Sequence, residues 1–184
     1  MKIKETELKG VYLISPQVIE DNRGYFYESF RSDYFNQNSI PTIFAQENQS
    51  LSKKGTFRGL HYQLDHPQGK LVSVKSGSVV DFAVDIRKGS PTFGKSICFT
   101  LDDIKHESLY ISEGFAHGFY VKSDVAIFNY KCTELYHPND EYGINWNDSD
   151  LNLDFIDENP LVSEKDKSLP ILKDIDNDLL PIYG

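Results

Sequence analysis

An all-β sandwich or barrel is the fold class this sequence predicts, and three observations carry the prediction. Several short runs between residue 70 and about residue 132 alternate apolar and polar side chains, the period of a strand. Clusters rich in Gly, Pro, Asp and Ser (RKGSPTFG, LDD, SEG and KSD) interrupt those runs at short spacing, which disfavours a βαβ arrangement. Aromatic residues are abundant, with 12 Phe, 11 Tyr and one Trp, and such side chains suit sheet surfaces and pockets.

Taken in order, helix signals are weak: RSDYFNQN (31–38) predicts one short turn, capped by Ser32 or Asp33. KLVSV followed by the break SGS predicts a hairpin around Gly77. In VVDFAVDI (79–86), Val80, Phe82, Val84 and Ile86 alternate with Asp81, Ala83 and Asp85, as in a half-buried strand. SICFTL (96–101), SLYI (108–111) and VAIFNYKC (125–132) repeat the pattern. Tyr130 shares the phase of Phe128 and Ala126, so its ring is expected to point inward with theirs. From about residue 146 the tail is acidic and irregular, carrying Trp146, Phe155 and several prolines, and is expected to wrap over the barrel.

At 184 residues the chain suits a single domain with its own core, and no repeat or linker divides it. No apolar run reaches membrane-spanning length, and the opening MKIKETELKG lacks the apolar stretch of a signal peptide. A cytoplasmic protein without membrane contact is expected. Nineteen basic residues against 28 acidic ones give a net charge of −9 with no Lys/Arg-rich block, which argues against nucleic-acid binding. A few converging cations could still hold an anionic small molecule. Cys98 and Cys132 form no CxxC pair, so they are expected as buried thiols.

FRGLHYQLDHPQGK (57–70) concentrates two histidines, an arginine and a lysine, leaving metal, anion and proton-transfer sites open. A metal needs three or four converging donors, but His61 and His66 are spaced for opposite faces of a regular strand. His117, in GFAHGF, has no histidine nearby in sequence. No phosphate loop, dinucleotide fingerprint, GxSxG elbow or Cys–His pairing occurs. Proton chemistry remains, with histidine the first candidate for a base because it titrates near neutrality. Carboxylates in SEKDK (163–167) could orient such a base. Tyr130 reads either as a proton donor or as a satisfied core tyrosine. Lys70 and Arg58 read equally as solvated surface cations, and Arg23 as a turn residue beside Gly24.

Eight segments in order resemble the dTDP-4-dehydrorhamnose 3,5-epimerases, sugar-nucleotide epimerases of the cupin superfamily. They are EDNRGYFYESF (21–31), FAQENQS (44–50), FRGLHYQ (57–63), PQGKLV (67–72), VDIRKGSPTFG (84–94), EGFAHGF (113–119), NYKCTELYHP (129–138) and SEKD (163–166). The resemblance spans nearly the whole chain. It implies a double-stranded β-helix, the cupin-like jelly roll, with short peripheral helices, working as a homodimer without metal or cofactor. The implied substrate is a dTDP-linked 4-keto-6-deoxy sugar, inverted at carbons 3 and 5.

By the same resemblance His61 matches the general base and Asp166 its orienting carboxylate. Tyr130 matches the general acid on the opposite sugar face, and Lys70 the cation that stabilises the enolate oxygen. Arg23 and Arg58 match diphosphate ligands, and Tyr136 the ring that stacks on thymine. Glu28, Gln46, Asn48, His117, Glu141 and Lys165 match further substrate contacts. Glu47, standing where the family often has Asp, is counted with them. The segment bearing Arg23 and Glu28 would serve the neighbouring subunit's site. His66 matches no role. Other departures are Thr56-Phe57, where small aliphatic residues are commoner, and Phe155, where the family often has Trp. A mono-epimerase, an epimerase of another nucleotide-linked 4-keto sugar, and a non-catalytic sugar-nucleotide-binding cupin are the alternatives. The last has no use for the proton carriers His61, Lys70, Tyr130 and Asp166.

Overall fold

A computed structural model describes residues 1–153, 157 and 159–184, so the departure at Phe155 lies outside the described residues. The chain opens with β1 (Lys2–Glu5), β2 (Val11–Ser15), β3 (Ile19–Asp21) and β4 (Gly24–Phe26), then α1 (Ser32–Gln37). Next come β5 (Gln46–Lys53), β6 (Phe57–Gln63), β7 (Lys70–Ser76) and β8 (Ser78–Asp85). β9 (Ser96–Asp102), β10 (Ser108–Ile111), β11 (Phe115–Val121), β12 (Val125–Cys132) and β13 (Glu141–Gly143) follow, and α2 (Glu164–Lys167) is the last α-helix. A six-stranded sheet runs β1-β2-β10-β7-β12-β5 and a five-stranded sheet runs β13-β6-β11-β8-β9. The architecture is the all-β, cupin-like jelly roll that the alternating runs and the resemblance imply.

Side chains alternate across each strand, so the two sheets close on one shared core. Val72, Val74, Ala126 and Phe128 come to it from the six-stranded sheet, and Val79, Ala83, Phe119 and Val121 from the five-stranded one. A second core lies on the outer side of the five-stranded sheet. There Val80, Phe82, Val84 and Ile86 pack against Ile144, Leu151, Leu172 and Leu180, so the tail does wrap over the barrel. α1 covers the six-stranded sheet through Phe35, which packs with Ile14, Ile40, Leu71 and Tyr110.

Four local expectations need correction. β8 is buried on both faces rather than half-buried, because its apolar side meets the tail and its Asp side faces the lumen. Period-two patterning reports which face is apolar, and here that face is the outer one. The chain makes no hairpin at Gly77: β7 and β8 belong to different sheets, and Gly77 carries the crossing between them. Its φ is +81°, and a Cβ there would come within 2.2 Å of Val125 O. The N-cap of α1 is Arg31, with no side-chain cap, while Asp33 accepts from the Arg31 Nε (2.8 Å) and the Tyr34 N–H (3.0 Å). Cys132 is buried as expected, but Cys98 is only partly so, on the edge strand β9.

Candidate active site

His61 reaches the lumen because β6 breaks its own alternation. Phe57, Leu60 and Tyr62 all face the outer core, so two inward residues, Arg58 and His61, are spaced by three instead of two. The irregularity sits at Gly59, where the β6–β11 pairing shifts register between His117 and Phe119. Gly59 has φ +124°, and a Cβ on it would lie 2.6 Å from Gly118 Cα. Only glycine permits both the conformation and the approach.

The result is a cavity of about 750 Å³. His61 and Arg58 enter it from the five-stranded sheet; Lys70 and Tyr130 enter from adjacent strands of the six-stranded sheet. Gln46, Asn48, His117, Tyr136, Glu141, Lys165 and Asp166 also line it. Residues scattered over most of the chain therefore share one wall or another of a single space.

Asp166 Oδ1 lies 2.7 Å from His61 Nε2. That contact makes Nε2 the protonated nitrogen and leaves the Nδ1 lone pair available to accept a proton. Ser163 caps α2 by accepting the Asp166 N–H, and the Gly59 N–H donates to Asp166 Oδ2 at 3.4 Å. Burial alone would push the Asp166 carboxyl up, but the His61 hydrogen bond and charge, with Gly59 and Ser163, hold it below the usual carboxylate range. An ionised carboxylate therefore orients the imidazole.

Lys70 is 8% exposed, and burial pulls its ammonium below the ordinary lysine range, against the opposing charges of Cys132, Glu141 and Asp81. Burial pushes the Tyr130 phenol up, so it stays protonated at neutral pH and has a proton to give. Arg58 Nε donates to Ser52 Oγ (3.0 Å), which orients the guanidinium. Glu141 Oε2 accepts from the Tyr136 hydroxyl (2.7 Å) and from Lys165 Nζ, and Oε1 lies 3.7 Å from His61 Nδ1. Burial pushes Glu141 up, yet Lys165, Tyr136 and His61 together hold it below the usual range.

Three of the expected site residues are not brought to the cavity by this chain. Glu47 alternates with Gln46 and Asn48 on β5, so it points to the opposite face and pairs with Lys131 at 2.7 Å. Its side chain therefore does not reach this chain's own cavity. Arg23 sits in the exposed β3–β4 turn with its side chain 86% exposed, held by Asp21. Glu28 follows that hairpin, 3.9 Å from the Arg31 guanidinium. Both project from the surface instead of lining their own chain's cavity.

One member was missed. Asp81, 0% exposed, lies 2.9 Å through Oδ2 from His117 Nε2 and is pushed up by burial. The signal for it is an acid in the middle of an otherwise apolar strand, which the half-buried alternation would put on the solvent side. Among the described residues no group of three His, Cys, Asp or Glu side chains is placed to hold a metal ion. No described helix is long and apolar enough to cross a membrane.

Comparison with known proteins gives one consistent match. The family model described as dTDP-4-dehydrorhamnose 3,5-epimerase covers residues 5–174. The dTDP-4-dehydrorhamnose 3,5-epimerase of Methanothermobacter thermautotrophicus is 44% identical over 173 residues, covering 92% of this chain and 94% of that protein. The Legionella pneumophila dTDP-6-deoxy-D-glucose-3,5-epimerase, solved in complex with dTDP-4-keto-L-rhamnose, is similar at TM-score 0.95 and 45% identity, covering 100% of this chain and 98% of that one. A 3'-monoepimerase from Streptomyces bikiniensis, solved with dTDP-quinovose, is similar at TM-score 0.89 and 32% identity, covering 97% and 92%.

Proposed function

The chain belongs to the dTDP-4-dehydrorhamnose 3,5-epimerase family, and from that premise we infer that it is an isomerase acting at carbons 3 and 5 of dTDP-4-dehydro-6-deoxy-D-glucose. The product is dTDP-4-dehydro-L-rhamnose. The carbon-4 ketone acidifies the hydrogens on its two neighbours, because losing either gives an enolate. No electron transfer is needed, since each inversion removes one proton and returns one.

In our reading His61 takes the proton through Nδ1, and Asp166 stabilises the imidazolium that forms. Lys70 faces the oxygen on which negative charge grows and stabilises it as the enolate develops. Tyr130 returns a proton to the other face; the tyrosinate then recovers one from solvent and the His61 imidazolium gives its proton up to solvent. Arg58 grips the diphosphate with charge-assisted hydrogen bonds, and Tyr136 stacks on the nucleobase. Gln46, Asn48, His117, Glu141 and Lys165 complete the contacts. The observation that carries this reading is that His61, paired with Asp166 of α2, and the Tyr130 phenol reach one cavity from opposing sheets.

Arg23 and Glu28 fit the same scheme only in a homodimer, where the protruding hairpin of one subunit completes the neighbour's site. We take residues 1–184 as one catalytic domain and place the reaction in the cytoplasm, where nucleotides are made.

Turnover of dTDP-4-dehydro-6-deoxy-D-glucose in deuterium oxide tests the activity. Deuterium at both carbon 3 and carbon 5 of the product, read by NMR, is the expected result. Label at one carbon only would make the protein a mono-epimerase, and no label at either would make it a binder.

A further inference from the structure

Tyr136 is 46% exposed, so packing does not fix its ring, and residues 135–137 lie outside every strand. Backbone polar groups in such a segment need partners from elsewhere. One buried side chain supplies two of them, one on each side of Tyr136. Gln63, at the end of β6 and 4% exposed, donates from Nε2 to Leu135 O (3.1 Å) and to His66 O (2.7 Å). Its Oε1 accepts the His137 N–H at 2.8 Å. Leu135 and His137 are the immediate neighbours of Tyr136, so a single amide grips the chain on both sides of it.

The partners also fix which way the amide points, because two carbonyls require the NH₂ end and one N–H requires the oxygen. The loop that Gln63 holds through His66 is itself firm. Asp140, 5% exposed, accepts the N–H groups of Leu64, Asp65 and His66, and the His66 and His137 rings stack at 3.8 Å. Tyr136 is then tied by its own N–H to Gln46 Oε1 (2.8 Å) and by its hydroxyl to Glu141.

We propose that Gln63 is the positioning residue for the nucleobase platform, setting the Tyr136 ring through the peptides on either side of it. The proposal rests on the reading of Tyr136 as the ring that meets the base. It gives His66 a structural part in the site: its carbonyl and its stacked ring join the two loops that carry the platform.

The consequence is a selective loss of nucleotide binding. Gln63→Met keeps the volume and removes all three hydrogen bonds; Gln63→Asn keeps the amide and withdraws it by one methylene. Each variant is expected to weaken dTDP, measured by calorimetry, by about tenfold, the effect of losing one or two net hydrogen bonds. KM for the dTDP-sugar should rise in parallel with kcat within about twofold, since the reacting carbons keep their residues. In a Tyr136→Ala background, Gln63→Met should add less than about a further twofold, as expected of coupled residues. Thermal melts establish that each variant is folded, and if the Met variant is not, the Asn variant decides by the same criteria. Unchanged dTDP affinity in a folded variant, a fall in kcat with KM unmoved, or full additivity with Tyr136→Ala would overturn the role of Gln63 alone. Unchanged affinity in Tyr136→Ala itself would overturn the platform reading and this proposal with it.

Discussion

Replacing His61 with alanine is expected to lower kcat/KM for epimerisation by about a thousandfold, within the range for loss of a positioned general base. The size follows from the lack of a substitute. Glu141 lies nearest in position to Nδ1, 3.7 Å away, but it already accepts from Tyr136 and Lys165 and is held below the usual carboxylate range. A weak, engaged carboxylate is a poor base for a carbon acid. The same substitution leaves Asp166 in a nearly closed environment without its main partner, at a cost of about 1–3 kcal/mol. Melting temperature should therefore fall as well, and His61→Asn, which retains a polar group, should separate the two effects. Solvent exchange at carbons 3 and 5 is the direct readout; exchange at the unmodified rate in His61→Ala would remove His61 from the role.

Lys70→Met should fail differently. Loss of a preorganised donor to a developing oxyanion costs about a hundredfold to a thousandfold in kcat. Yet burial already disfavours the Lys70 ammonium, so exchanging it for an apolar chain of similar length should not lower the melting temperature. A variant that is at least as stable and far slower is the signature of a cation kept for chemistry. KM should change little, because the oxygen gains its charge only as the proton leaves. Near-normal kcat in Lys70→Met, measured by the same NMR assay, would contradict this assignment.

Much of the fold was legible because jelly-roll strands are short, alternating and separated by turn residues. The runs at 96–101, 108–111 and 125–132 correspond to β9, β10 and β12. The inward direction of Tyr130 with Phe128 and Ala126 was legible too; what failed was the direction of the pattern in β8. The alternation in β8 is clear, but only the tail packed behind the sheet makes its apolar side the outer one. Gly77 looks like a hairpin turn until the two strands are seen in different sheets.

The site was legible residue by residue, not as a geometry. Spacing alone placed neither Arg58 nor His61, since the irregularity at Gly59 is what turns both inward. Regular alternation, by contrast, shows that Glu47 points away from the cavity that takes Gln46 and Asn48. Asp81 was hidden by the rule that acids face water, and Gln63 by the fact that its partners are backbone atoms, two of the three more than seventy residues away. Arg23 and Glu28 lie outside their own chain's cavity, so their place in the site rests on the proposed homodimer.

The central claim is that two different residues act on the two faces of the sugar. Incubating Tyr130→Phe with dTDP-4-dehydro-6-deoxy-D-glucose in deuterium oxide addresses it most directly. His61 should still remove a proton and return a deuteron to the same face, so the recovered substrate should carry label with its configuration unchanged. Epimerised product should fall by at least about a hundredfold, in keeping with loss of a general acid. Product formed at the unmodified rate, with label at both carbons, would contradict the account.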